Sequence, residues 1–299
     1  MHPNLRAILY LQLCLMFFLV GDSVAKRLLE TIPLGQMICL RTAASLLVLT
    51  VFILATGRLR TLRVSKPVHQ LLRSLFFTVI SLGYYVAIKH FPISAVSAAT
   101  AGAPILISAI SPLILKERAN AIQWLATITG FIGVCLVLKP DVSNSGWHYL
   151  ALTVLPLAFA IMILWSRYLS RTESDWSMNY YIYIPLLLAA FFWQQEVWIA
   201  LDNKTLLMVL VSGSGGAFGF IMMVAAYRVG KPVIVAPFQY TAIIMALGVD
   251  IIFWQFYPNL GLWIGISLIL LCAAIQGWQA RIEEPAITPH LRPEDTHTP

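Results

Sequence analysis

The sequence predicts an all-α integral membrane protein with ten transmembrane helices arranged as a 5+5 inverted repeat. Three observations support this prediction: the composition, a series of apolar runs and a similarity between the two halves of the chain. Of the 299 residues, 59% are hydrophobic and only 11% are charged, and the mean hydropathy is +0.80. Because soluble domains carry about a quarter charged residues, a chain this apolar requires lipid as its solvent.

Ten apolar runs are each long enough to cross a bilayer, which takes about 20 residues of α-helix. They are predicted at Leu5–Leu28, Pro33–Thr56, Leu71–Ile88, Ile93–Leu115, Ala121–Leu138, Trp147–Tyr168, Met178–Ile199, Leu206–Tyr227, Val233–Phe256 and Leu260–Gln279. The short connections leave no room for a soluble domain that hydrolyses ATP. The polar, proline-rich residues 281–299 are predicted to form a disordered cytoplasmic tail.

The basic residues predict the orientation of these spans. Of the 20 Lys and Arg residues, 14 fall on the side of the N-terminus and five on the other side, with Arg41 inside a span. The positive-inside rule therefore predicts that both termini are cytoplasmic, and the short loops favour a bacterial inner membrane. Since the basic residues flank apolar runs and form no single patch, the net charge of +7 does not indicate nucleic-acid binding.

The two halves of the chain resemble each other at an offset of about 140 residues. Arg27 falls opposite Arg167 and Trp124 opposite Trp263. Five spans per repeat is an odd number, so residues 141–280 must be inverted relative to residues 1–140. Inverted repeats are typical of secondary transporters, whose substrate site lies near the midplane between the repeats. The first span also resembles a cleavable signal peptide, but its partner in the second half favours a retained helix.

Three ionisable residues stand out within the predicted spans, where a charge is costly and is a functional candidate by default. Asp22 lies about 10 Å and Arg41 about 12 Å from the same membrane face, at 1.5 Å per helical residue, so an ion pair between them is predicted. Asp250 lies at a similar depth on the ninth span. The two carboxylates are the candidates for proton coupling. A structural ion pair and an interfacial aspartate are the alternative interpretations.

Aromatic and amide side chains predict the substrate site, because they offer a stacking face and a hydrogen bond to a flat or amphipathic solute. The candidate substrate-binding residues are Arg41, Tyr84, Tyr85, Trp165, Gln239 and Tyr240. The candidate gating residues are Pro104, Glu117 and Pro237, with a helix cap as the alternative role of Glu117. The glycines of the eighth span either loosen that helix or allow close packing, and the GxxxG spacing of Gly215 and Gly219 is typical of packing.

Several function classes lack a sequence signal. The four cysteines lie in separate apolar runs and suggest neither a disulfide framework nor a zinc site. The chain has no HExxH or GxSxG motif. We therefore predict no metal, no cofactor and no enzymatic activity. An intramembrane enzyme and a non-transporting structural membrane protein are the alternatives.

Several segments of residues 5–280 carry a family resemblance: Gly21–Lys26, Arg41, the segment from Pro104 to Arg118, and the segments 226–228, 235–241 and 256–258. Through them the chain resembles the EamA-type carriers of the drug/metabolite transporter superfamily. Glu117 occupies a hallmark position of the family, whereas the equivalent turn of the second half reads Trp254-Gln255-Phe256 and is not acidic. Membership implies transport of small metabolites, with the substrate left open.

The predicted function is therefore secondary transport of a small organic metabolite by alternating access. The solute classes in question are amino acids, vitamins and nucleotide-related compounds. The predicted partners are this solute and the lipid bilayer, with no nucleic acid. The direction of transport, its coupling and the choice between monomer and homodimer are left open.

Overall fold

The computed structural model describes residues 3–103, 147–169, 172–193, 197–229 and 236–283, together with isolated residues between 106 and 136. The α-helices in these ranges are α1 (Pro3–Leu28), α2 (Leu34–Ala55), α3 (Pro67–His90), α4 (Ile93–Thr100), α5 (Trp147–Leu169), α6 (Asp175–Tyr181), α7 (Tyr183–Trp193), α8 (Asn203–Val229), α9 (Thr241–Trp254) and α10 (Leu260–Glu283). Leu59–Leu62 and Ala236–Tyr240 are 3-10 helices. No strand occurs in the described ranges, which confirms the all-helical class there.

Within the described ranges, four helical stretches are long and apolar enough to span a membrane. They are Leu5–Leu28, Leu34–Ala55, Pro67–His90 and Asn203–Ala226. These stretches correspond to the first, second, third and eighth predicted spans. The fourth predicted span is seen as α4 at its beginning, and most of the fifth span lies outside the described residues.

The predicted seventh span is not one continuous helix. It consists of α6 and α7, separated at Ile182. Pro185 explains the break, because a proline has no N–H to donate to the carbonyl four residues earlier. Residues 197–199, at the end of the predicted span, are not helical, and Ile199 is held by Gln36 of α2. Its Nε2 donates to Ile199 O at 2.7 Å, and Ile199 N donates to its Oε1 at 2.9 Å.

The ninth predicted span likewise begins differently from a regular α-helix. Residues Ala236–Tyr240 form a 3-10 turn before α9. Gln12 of α1 fixes this turn, because its Nε2 donates to Phe238 O at 3.3 Å and its Oε1 accepts from Thr241 Oγ1 at 2.9 Å. The turn that carries Gln239 and Tyr240 is therefore anchored to the first helix.

Helix α3 shows the polarity expected of a lipid-facing helix. Its buried face includes the polar residues Gln70, Arg73, Ser74, Thr78 and Ser81, whereas its exposed face carries Val68, Leu71, Leu72, Leu75 and Val79. A soluble amphipathic helix would bury the apolar residues and expose the polar ones. The reversal fits a helix whose outer face is covered by lipid and whose inner face meets a polar interior.

The glycines of α8 serve close helix packing, since α8 is continuous through all of them. A Cβ atom at Gly213 would lie 2.5 Å from Ala44 Cβ of α2. A Cβ atom at Gly215 would lie 2.6 Å from Phe17 O of α1. Contacts this short involve the backbone, so α8 approaches α1 and α2 only because these side chains are absent.

We expect Gly215→Ala to destabilise the protein, because overpacking a close helix contact typically costs about 1–3 kcal/mol. Gly248→Ala of α9 is the matched control, since a Cβ atom there would meet nothing within 4 Å. The measurement is thermal unfolding of both variants in detergent, followed by intrinsic fluorescence. Equal melting temperatures for the two variants would contradict the close α1–α8 contact.

Candidate functional site

A cavity of about 840 Å³ lies between helices of the two halves of the chain. Its wall includes residues of α1–α4 from the first half and of α5–α9 from the second half. Most of these side chains are apolar, and a small number of charged and hydroxyl groups lie among them. This volume is typical of small-molecule sites, which measure about 300–1,000 Å³.

An ion pair between α1 and α2 forms part of the cavity wall. Arg41 Nη1 lies 2.9 Å from Asp22 Oδ1, and it also donates to Gly21 O at 3.1 Å. The Arg41 guanidinium lies 5.0 Å from the centre of the Tyr85 ring, which is within cation–π distance. Arg41 is only 6% exposed, so each charge depends on the other for compensation.

Hydrogen bonds connect this ion pair to two further helices. Tyr84 Oη of α3 donates to Asp22 Oδ2 at 2.8 Å. Ser212 Oγ of α8 donates to Gly21 O at 2.7 Å. Both carboxylate oxygens of Asp22 thus have a partner. The network joins three helices of the first half to one of the second and brings together the predicted residues Asp22, Arg41, Tyr84 and Tyr85.

A second buried arginine lines the cavity nearer the N-terminal end of α3. Arg73 is 5% exposed, and its Nε donates to Ser166 Oγ at 2.7 Å. Its Nη1 donates to Met178 O at 2.9 Å. That carbonyl is available because α6 ends at Tyr181 and the N–H of Ile182 donates to Tyr180 O.

Arg73 was not predicted as a site residue, because it was counted with the basic residues that flank the spans. The signal was its position inside the apolar run that begins at Leu71. Arg73 lies six positions after Pro67, the first residue of α3, which places it about 9 Å along the helix.

The remaining candidate residues divide into three groups. Gln239 and Tyr240 both line the cavity from the 3-10 turn before α9, which also includes Pro237. Trp165 is not part of the cavity wall formed by the described residues, and its ring instead lies 6.3 Å from the His69 ring. Pro104 and Glu117 lie outside the described residues.

Asp250 is a helix cap in this structure. Its carboxylate is fully buried, and it accepts from Ile93 N at 3.1 Å and from Ser94 N at 2.7 Å, at the start of α4. A carboxylate at this position satisfies free N–H groups and interacts favourably with the helix dipole. Asp250 is absent from the described cavity wall, to which Asp22 and Arg41 both contribute.

Glu173 has an equivalent role at the other end of α3. Its Oε1 accepts from Ser65 N at 2.8 Å and from Lys66 N at 2.6 Å, directly before α3 begins. No signal in the sequence indicates this contact, since Glu173 lies in a loop more than 100 positions away. Two acids of the second half therefore bind backbone amides on either side of α3, Glu173 directly before it and Asp250 at the start of α4.

The described residues include no group of three His, Cys, Asp or Glu side chains that could hold a metal ion. The described cavity wall offers several polar groups to a solute. These are the Asp22–Arg41 pair, the Arg73 cation, and tyrosine and amide side chains. Such groups can bind and orient a solute.

Comparison with known proteins agrees with a membrane carrier. Residues 5–139 match the EamA-like transporter family. The S-adenosylmethionine uptake transporter of Rickettsia prowazekii is 25% identical, with coverage of 84% of this chain and 86% of its own. The riboflavin transporter of Vibrio cholerae is 24% identical, with coverage of 94% and 96%. The pseudopaline exporter CntI of Pseudomonas aeruginosa is 23% identical, with coverage of 86% and 91%.

A protein of known crystal structure shares the fold. It superposes with a TM-score of 0.65 at 18% identity and covers 93% of this chain and 98% of its own. At this identity the similarity establishes the fold alone.

The membrane-spanning helices and the relatives named as transporters indicate a multi-pass membrane protein of the small-molecule transporter class. Over residues 5–139 the chain is similar to the EamA-like transporter family. Its relatives are named as transporters and not as enzymes.

Proposed function

We propose that this protein is a secondary transporter that moves a small organic metabolite across a bacterial inner membrane by alternating access. Residues 1–140 and 141–280 form two inverted five-helix repeats that rock around the central cavity. Both termini are cytoplasmic. The solute belongs to the amino acids, vitamins or nucleotide-related compounds.

One observation carries this proposal: the cavity of about 840 Å³ is lined by residues of both halves. Because each half contributes part of the wall, a relative movement of the halves would change the access to the cavity from each side. A site confined to one half would not respond to such a movement. In this mechanism Gln239 and Tyr240 contact the solute from one half while Tyr84, Tyr85 and Arg41 contact it from the other.

The wall also supports a flat or amphipathic solute. Tyr84, Tyr85, Tyr183 and Tyr240 line one cavity, and their rings offer stacking faces. S-adenosylmethionine and riboflavin, the solutes named for the relatives, each combine a flat heteroaromatic ring with polar groups. These two solutes are therefore the first to test.

The test is counterflow in proteoliposomes that are preloaded with unlabelled S-adenosylmethionine or riboflavin. A carrier that alternates access should accumulate labelled solute transiently above equilibrium, because unlabelled solute leaves through the same site. We expect this overshoot for at least one of the two solutes. Equilibration without overshoot would indicate a channel, and no uptake of either solute would contradict the proposed solute class.

Variants at the cavity wall test the location of the site. Tyr240→Ala should lower the apparent affinity for the solute, because it removes a 9%-exposed ring from the wall. Ile244→Ala, one turn further along α9, is the matched control, since Ile244 is 57% exposed on the outer surface. An equal loss of counterflow in both variants would contradict a solute contact at Tyr240.

A further inference from the structure

We propose that Arg73 binds a carboxylate group of the transported solute, at the end of the cavity opposite to the Asp22–Arg41 pair. This inference rests on the proposed transport function, and it assigns a recognition role to one side chain. It also specifies the solute chemistry, since the solute must carry an anionic group.

The first argument is that Arg73 is a buried cation without a compensating anion. Its two hydrogen-bond acceptors, Ser166 Oγ and Met178 O, are both neutral. Among the described residues, no carboxylate lies within ion-pair distance of its guanidinium. Burial of an unpaired charge is costly, and ionisable groups retained within membrane helices are functional candidates for that reason.

The second argument is the contrast with Arg41. Both arginines are buried and line the same cavity. The charge of Arg41 is neutralised by Asp22, whereas the charge of Arg73 is available to a ligand. Asp175 also lines the cavity, but it forms no ion pair with Arg73 within the described residues.

The third argument is the geometry of the guanidinium. Arginine has five N–H donors in a planar fork, and the bonds to Ser166 and Met178 use one donor on Nε and one on Nη1. These two bonds fix the orientation of the side chain and leave other donors for a ligand. A carboxylate matches this fork through two parallel hydrogen bonds.

The cavity therefore has two different ends. Arg73 and Tyr84 are 11 positions apart on α3, which corresponds to about 16 Å along the helix. A solute with a carboxylate near Arg73 would extend its flat or apolar part toward the tyrosines beside the ion pair. This arrangement predicts that the solute enters the site in one fixed orientation.

The experiment compares S-adenosylmethionine with decarboxylated S-adenosylmethionine, which keeps the sulfonium and the amine but lacks the carboxylate. Both are added, unlabelled, as competitors of the counterflow of labelled S-adenosylmethionine by the full-length protein in proteoliposomes. In the wild type, S-adenosylmethionine should compete better. Arg73→Gln should weaken its competition by about tenfold or more, because a charge-assisted hydrogen bond is lost, and should leave the decarboxylated compound unchanged. Arg73→Lys should restore part of the preference.

An equal loss for both compounds, or no loss for either, would overturn the proposal. The melting temperature of the solute-free variant provides a second test. A ligand-binding cation that is unpaired in the empty protein should not be needed for stability, so Arg73→Gln should melt at or above the wild-type temperature. A clear fall would identify Arg73 as a structural residue and overturn the proposal.

The two proposals can fail separately. If the wild type transports neither S-adenosylmethionine nor riboflavin, the proposed solute class fails, and the melting temperature of Arg73→Gln still decides between a structural cation and an unpaired one. If it transports riboflavin, which has no carboxylate, but not S-adenosylmethionine, the transport function stands and the carboxylate assignment fails. If the wild type transports S-adenosylmethionine and its decarboxylated form equally well, the transport function stands and the carboxylate assignment fails.

Discussion

Asp22→Asn should sharply lower both the stability and the transport activity of the protein. The Asp22 and Arg41 side chains are only 15% and 7% exposed, and the substitution leaves the Arg41 charge buried without its counter-ion. Breaking a buried ion pair by removing one partner typically costs about 3–5 kcal/mol. Thermal unfolding in detergent measures the stability, and counterflow in proteoliposomes measures the transport.

The double variant Asp22→Asn/Arg41→Gln is the control for this prediction. Removing both charges eliminates the uncompensated cation, so the double variant should be more stable than the single variant Asp22→Asn. Its transport should remain low if the pair takes part in solute binding or coupling. If the double variant is no more stable than Asp22→Asn, the two charges are not coupled in the folded protein and the expected result is wrong.

Asp250→Ala should have the second largest effect on stability. The carboxylate accepts hydrogen bonds from Ile93 N and Ser94 N and is fully buried. Its removal would leave two backbone donors of α4 unsatisfied, at about 1–3 kcal/mol each. Asp250→Asn is the matched variant, because its single amide oxygen can still accept a hydrogen bond from one of the two N–H groups. We expect a large fall in melting temperature for Asp250→Ala and a smaller one for Asp250→Asn.

These variants also test which carboxylate couples transport to protons. The capping role predicts that Asp250→Asn keeps the pH dependence of transport, whereas coupling through Asp22 predicts that Asp22→Asn changes it. A normal melting temperature combined with a lost pH dependence in Asp250→Asn would assign the coupling to Asp250. If the double neutralisation Asp22→Asn/Asp250→Asn leaves the pH dependence intact, neither aspartate couples transport to protons.

The long apolar helices could be predicted from the sequence because lipid imposes a minimum length on each of them. The predicted and observed limits agree within four residues for α1, α2 and α3. The prediction of a continuous seventh helix was wrong because Pro185 interrupts a run that is apolar on both sides. Hydropathy indicates whether a segment lies in lipid or in water, but it does not respond to the backbone N–H group that a proline lacks.

The site was only partly predictable for a different reason. The depth of Asp22 and Arg41 along their helices follows from the helical rise, so two charges at one level on consecutive helices could be recognised as neighbours. The partners of Asp250 are backbone amides of α4, 156 and 157 positions away in the chain. A backbone amide has no signature in the sequence, so neither this contact nor that of Glu173 could be foreseen.

The two capping acids have a consequence for leakage through the carrier. Helix α3 has 24 residues and is thus about 36 Å long. The second half of the chain holds the backbone directly before α3 through Glu173 and the start of α4, three residues after α3, through Asp250. If the halves rock as proposed, the opening of one side would break only the hydrogen bonds of the carboxylate on that side. The freed carboxylate and amides would then bind water, whereas breaking both sets of hydrogen bonds at once would cost the free energy of both. Such a carrier would seldom open to both compartments at once, and its membrane would remain tight to solutes between turnovers.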